Sequence, residues 1–372
     1  MFKLLERKQY RTLLDVDSYF AEGQHYVKPA TLDQLSIEGL RSDRQDYPIN
    51  INLYDRIYDS HVDCRFRHYD AVLLSAERDR HDLRAAIYQL QDMADAFIIF
   101  VRRSSNARSI FPVGTQALKT VNGSWVILHV DRPSDMAIYV VTHKTHNVEL
   151  PEGYVTIHAG RALSNDLSYL GDDTGDNISD LNPYLNELTA LYWIWKNDKH
   201  DLIGISHYRR YFTTRASTAF DQNEILTIEC ARELLRSCDM IIGSEAYSQN
   251  SQRGLITFDA EFDAALADAA IDAIKKMLER HQPNYVDAFE QVMSNQTLFG
   301  CNMMITRKHV FDAYCQWLFS FLLPTAEEFI KNLENVSVRR KRILGFVAER
   351  MFGAWLLNNR LRLHELFIML DK

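Results

Sequence analysis

Hydrophobic and polar positions change rhythm along the chain. Up to about residue 65 the pattern is mixed and punctuated by Pro29 and Pro48, which predicts short helices between turns. From Tyr69 the rhythm sharpens. Residues 70–75 (Asp-Ala-Val-Leu-Leu-Ser) read as a buried strand, and residues 83–93 have helical spacing through Leu83, Ile87 and Leu90. Residues 97–101 form a second buried strand. Residues 117–121, an Asn122-Gly123 turn and residues 125–130 then predict a hairpin, because Asn-Gly suits a type I′ turn. Strand, helix, strand and hairpin resemble the C-terminal half of a class I methyltransferase domain, but no glycine-rich cofactor loop precedes them. Residues 1–132 are therefore read as a smaller α/β accessory domain, a partial Rossmann-like half.

Asp131-Arg-Pro-Ser-Asp135 reads as a linker, and residues 136–142 open a new strand. Strands at 154–158, 202–206, 240–243 and 302–306 then alternate with helices at 186–197, 262–280 and 309–323. Such alternation predicts an α/β sheet flanked by helices over residues 136–372.

A length of 372 residues fits two or three domains. The net charge of −8 argues against a general nucleic-acid binder. The five cysteines are odd in number and widely spaced, so neither a disulfide framework nor a zinc site is expected. The N-terminus lacks the apolar core of a signal peptide, and the apolar runs at 94–101 and 314–323 are too short to span a bilayer. These features predict a cytoplasmic protein that at most rests on the inner face of the membrane.

Candidate chemistry is densest between residues 171 and 212. Gly171-Asp-Asp-Thr-Gly-Asp-Asn-Ile-Ser179 is a polar loop with three carboxylates, Asp172, Asp173 and Asp176, and with Asn177. It is either a metal or sugar-hydroxyl site or a solvated turn with side-chain caps. The helix that follows has an apolar stripe of Leu185, Leu188, Tyr192 and Trp195, and a second stripe of Asn186, Glu187, Trp193 and Lys196. After it, an apolar strand runs into His207-Tyr208-Arg209-Arg210-Tyr211. Ligands of open α/β sheets sit beyond the carboxyl ends of strands, and paired arginines there suit an anion better than burial.

Thr142-His143-Lys144, the 171–179 loop, Asn186 to Asn197 and His207 to Phe212 together resemble a bacterial glycosyltransferase family. Its members lie in capsule, exopolysaccharide and lipopolysaccharide gene clusters. It was long catalogued as a domain of unknown function, and some members are galactofuranosyltransferases. The resemblance spans about residues 136–360. It implies a GT-A-like mixed sheet and a UDP-sugar donor, with Thr142, His143 and Lys144 near the nucleotide. Asp172, Asp173, Asp176, Asn177, Asn186, Glu187, Lys196 and Tyr208 would complete the donor side.

GT-A enzymes commonly place an Asp-x-Asp metal motif after a central strand; here His207-Tyr-Arg-Arg210 stands there instead. Two expectations follow. Either His207, Arg209 and Arg210 neutralise the diphosphate without a divalent metal, or Asp172, Asp173 and Asp176 hold Mn²⁺ or Mg²⁺. Glu349, in an apolar helical turn, suits the general base of an inverting transfer, or else an ion pair with Arg350. Trp193, Asn302 and Arg350 are expected on the acceptor side. Residues 336–362 carry Arg339, Arg340, Lys341, Arg342, Arg350, Arg360 and Arg362 against Glu349 alone, a segment suited to an anionic membrane and a glycan or lipid-linked acceptor. Two rival readings are a non-catalytic carbohydrate-binding or assembly subunit and, from the N-terminal pattern alone, a methyltransferase.

Overall fold

The computed structural model describes most of residues 135–371, leaving out 217–218, 245–263, 295–301 and 334–335. Of the first 134 residues it describes 10–16, 34–40, 54–58, 66–75, 93–101, 116–120 and 123–129, with Leu5, Cys64 and part of 83–90. Asn122 of the expected turn, residues 131–134 of the linker, residues 262–263 and Cys301 lie outside the described residues. The chain divides into two compact units, one of Met1–Pro133 with Arg236–Asp239, the other of Ser134–Leu235 with Met240–Lys372.

The first unit is built on a seven-stranded sheet: β1 (Thr12–Asp15), β2 (Ser36–Leu40), β3 (Arg56–Tyr58), β4 (Ala71–Ser75), β5 (Ala96–Val101), β6 (Gln116–Thr120) and β7 (Gly123–His129), ordered β3-β2-β1-β4-β5-β7-β6. The first five run parallel, and β7 and β6 are antiparallel. Among the described residues of the expected helix, Leu83, Ala86, Ile87, Gln89 and Leu90 are helical, and β6 and β7 pair antiparallel as the expected hairpin. Of the short helices expected before residue 65, Leu5 is helical among the described residues there, and the longer described segments are the strands β1–β3. In β1 and β2 the apolar runs are interrupted by carboxylates that the sheet buries with tyrosine partners. Tyr54 Oη donates to Asp15 at 2.7 Å, and Tyr58 and Tyr69 donate to Glu38 at 3.0 and 2.5 Å.

The second unit holds eight strands: β8 (Met136–Thr142), β9 (Tyr154–His158), β10 (Leu170–Gly171), β11 (Leu202–His207), β12 (Arg210–Thr213), β13 (Met240–Gly243), β14 (Met304–Arg307) and β15 (Leu363–Leu370). β10, β9, β8 and β11 are parallel neighbours. β11 also pairs with β12 and β14, and pairings among β12, β15, β13 and β14 close a circuit. β8 and β11 are buried at every position, as strands covered on both faces must be.

The helices are α1 (Asn182–Leu185), α2 (Leu188–Asn197), α3 (Ile228–Leu235), α4 (Ala264–His281), α5 (Val286–Ser294), α6 (Lys308–Phe329), α7 (Val338–Lys341) and α8 (Ile343–Asn359). α8 is apolar nearly all round and packs on α4, α5 and α6, the behaviour of a central helix. Gly345 gives it a close approach to Asn186, whose Nδ2 would lie 2.0 Å from an added Cβ. Among the described residues no helix is long and apolar enough to cross a membrane.

Candidate active site

Three parallel strands end side by side. Thr142 closes β8 opposite His158 at the end of β9, and His207 closes β11 opposite Val141. This is the carboxyl edge at which α/β sheets bind ligands. A cleft of about 630 Å³ opens there, walled by Thr142, His143, His158, His207, Tyr208, Arg209 and Arg210 from the strand ends and by Ser164 from the turn after β9. Asn182, Asn186 and Glu187 from the α1–α2 corner and Arg342, Phe346 and Glu349 from the start of α8 close the other side.

The His207-Tyr-Arg-Arg210 block is a tight turn. His207 pairs with Arg210 across the β11–β12 hairpin, leaving Tyr208 and Arg209 at its tip. The Tyr208 ring meets the His143 ring edge-on at 5.3 Å between centroids, with the Arg209 guanidinium 5.5 Å from the Tyr208 ring. Burial, followed by the charges of Lys144, Arg342, His158 and Arg209, lowers the His143 pKa. Burial also lowers that of His158, whose Nε2 lies 3.0 Å from Ser164 Oγ. The fixed positive charge of the cleft therefore comes from three arginines, Arg209, Arg210 and Arg342.

The helix expected from Asn186 breaks there. Asn186 has φ 54° and ψ −130°, a strained backbone for a residue with a Cβ. Its carbonyl accepts from Asn182 Nδ2 at 2.7 Å, and its Oδ1 accepts from Arg342 Nε at 2.5 Å. The break turns Glu187 toward Glu349 and Arg342. Burial first and the Glu349 charge second push the Glu187 carboxyl up to about 8, against the lowering influence of Asn302 and Arg342. Two carboxylates this close resist ionising together, so near neutrality the pair holds a proton.

Several residues expected at the site lie elsewhere. Asp172 is fully buried and accepts from the Gly160 and Arg161 amides and from Ser179 and Thr189 hydroxyls at 2.5–3.2 Å. Asp173 pairs with Arg161 at 2.7 Å, and Asp176 accepts from Tyr192 Oη at 3.0 Å. The three carboxylates diverge to these partners, and no cluster suited to a metal ion exists among the described residues. The donor set does not fit a divalent cation. Asn177 bonds within the loop, to the Gly175 carbonyl and the Ser179 amide. Trp193 Nε1 donates to Thr174 at 2.9 Å, and the Lys196 ammonium lies 3.6 Å from the Trp195 ring centroid; neither lines the cleft. The 171–179 loop is a brace docked on α2, and Asp172 fixes the Gly160 turn at the cleft wall.

Lys144 is exposed beyond the cleft, its amide bonded to Thr142 Oγ1. Asn302 is buried beneath Glu187, and Arg350 is 3% exposed; both are inside the fold instead of on an acceptor face. The basic segment is split likewise, with Arg342 in the cleft, Arg350 buried, and Arg340 and Arg360 exposed. Sequence reasoning missed His158, Ser164 and Asn182, and placed Arg342 only in a surface run. For His158 the available signal was its place at the end of a strand parallel to β8.

The profile of a family described as a domain of unknown function, DUF4422, matches residues 137–360. None of the curated proteins matches the chain. A solved structure titled WbbM bifunctional glycosyltransferase, apo, is similar with a TM-score of 0.56 at 27% identity. The likeness covers 64% of this chain and 46% of that one, so the chain spans under half of that structure's length. Cofactor-bound Rv0187 from MTB and the O-methyltransferase TomG from Streptomyces achromogenes with SAM each match 35% of this chain and 78% of their own. Their identities are 13% and 9%, both with TM-scores of 0.24, and nothing functional follows at that similarity.

Proposed function

The chain belongs to the DUF4422 family through residues 137–360, and from that premise we propose that its second unit is a GT-A-like glycosyltransferase acting on a UDP-sugar. The reading is carried by one observation: three arginines and a carboxylate pair face one cleft at the carboxyl edge of a parallel sheet. Similarity to a structure titled as a bifunctional glycosyltransferase supports it.

Arg209, Arg210 and Arg342 receive the donor diphosphate, since guanidinium forks match phosphate oxygens and stabilise the charge that develops as the sugar leaves. The His143 and Tyr208 rings at the cleft rim offer ring faces against which the base can pack. Burial and the Glu349 charge raise the Glu187 carboxyl, so the proton of the pair is favoured on Glu187 and the base role falls to Glu349. Glu349 takes the proton of the acceptor hydroxyl, and the oxygen attacks the anomeric carbon. The bond from that carbon to the diphosphate breaks, its electron pair leaves with the phosphate oxygen, and the configuration inverts. The arginines do this without routing charge through a metal. The acceptor is a glycan or lipid-linked glycan of surface polysaccharide synthesis, and the exposed Arg340 of the basic segment would face an anionic lipid surface at the inner face of the membrane.

A thermal-shift screen over nucleotide sugars, followed by measuring nucleoside diphosphate release with excess EDTA, tests the reading. A UDP-sugar that raises the melting temperature and is turned over in EDTA is the expected result. Stabilisation without turnover points to a non-catalytic carbohydrate subunit. Activity abolished by EDTA and restored by Mn²⁺ overturns the metal-independent step.

A further inference from the structure

Two asparagines with left-handed backbones bracket Glu187. Asn186, at φ 54°, precedes it in the chain. Asn302, at φ 50°, reaches it from the approach to β14 and donates from Nδ2 to Glu187 Oε1 at 3.1 Å. Asn302 is fully buried, and its Oδ1 accepts from Tyr314 Oη at 3.0 Å. Tyr314 is itself fully buried on α6, ringed by Trp317, Phe352 and Trp355.

A buried tyrosine hydroxyl needs a partner, and a buried amide flips unless both its ends are committed. Here the hydroxyl engages the amide oxygen, and that leaves the amide nitrogen facing the carboxyl. We propose that Tyr314 and Asn302 form a positioning relay for Glu187, in which the tyrosine hydroxyl fixes the asparagine amide and the amide holds the carboxyl beside Glu349. Neither residue touches the cleft, so the relay works from inside the core. For its kinetic readout it rests on the sugar-transfer reading; for its stability readout it does not.

The groups that face Glu187 set the sign of the test. Glu349 from α8 opposes its ionisation, while Arg342 from α8 and the Asn302 amide favour it. His207, Arg209 and Arg210 line the same cleft. Losing the amide donor therefore favours the protonated carboxyl. In Tyr314→Phe the amide is released, and in Asn302→Asp, which keeps the side-chain shape, a third carboxylate replaces the donor.

The experiment compares both variants with the parent chain in two readouts, using Glu187→Gln as the reference without a titrating group. One is the pH dependence of the melting temperature; the other is the pH profile of kcat/KM for whichever UDP-sugar is turned over. In both variants the alkaline fall is expected to move up by about one pH unit, with the donor KM within about twofold of the parent. A folded Tyr314→Phe or Asn302→Asp whose alkaline fall coincides with the parent's overturns the relay. If one variant fails to fold, the other decides. If no nucleotide sugar is turned over, the sugar-transfer reading falls while the melting profiles still judge the relay.

Discussion

Glu187 and Glu349 stand together at the cleft wall, yet only one is the proposed base. The Glu187 carboxyl, pushed up to about 8 from an ordinary 4.5, keeps its proton at neutral pH. A carboxyl raised on folding contributes stability that is fully present below about 4.5 and is lost as pH rises through about 8. Glu187→Gln should therefore melt progressively higher than the parent as pH rises from 5 to 9, read by calorimetry. Glu349→Gln should lower kcat by at least about 100-fold with donor binding retained; near-parental turnover would remove Glu349 as base. Glu349, His207, Arg209 and Arg210 were legible because strand ends and an acid in an apolar turn are unusual placements. Asp172 was misread for the opposite reason: a carboxylate surrounded by small polar residues looks solvated, and its four buried donors come from Gly160, Arg161, Ser179 and Thr189.

Among the elements, the 171–179 loop and the start of α8 matter most to the cleft without forming its chemistry. Asp172→Asn turns an NH2 donor toward existing donors and should cost about 3 kcal/mol, a fall in melting temperature measurable by calorimetry. Gly345→Ala places a methyl against Asn186 and displaces α8 or Asn186. The expected result is an increased donor KM from the disturbed Arg342, with about 1–3 kcal/mol lost in stability. The buried strands β8, β11 and β13 could be read directly from their apolar runs. β1 and β2 could not, because the core carboxylates Asp15 and Glu38 mimic surface residues, and β3 is only three residues long. β15 was missed as well: residues 363–370 have exposed Leu363 and Phe367 beside buried Leu366 and Met369, which gives no clean alternation.

For the whole molecule, a net charge of −8 conceals a cleft with three arginines. Opposite charges attract through water less as salt rises, with a screening length near 10 Å at 0.1 M. UDP affinity, measured by titration calorimetry, should weaken several-fold between about 50 and 300 mM salt. The two units differ in how far sequence reached them. Residues 136–360 carry motif blocks whose order is specific, whereas the first unit is defined by a buried strand pattern that says little about a ligand.

The most direct measurement follows a panel of UDP-sugars and hydroxyl acceptors by NMR, with the full chain and excess EDTA present. Acceptor-dependent release of UDP, with the anomeric configuration of the transferred sugar inverted, is the result expected from an arginine-lined cleft with Glu349 as base. Unchanged nucleotide sugars across the panel, with and without added Mn²⁺, would contradict it.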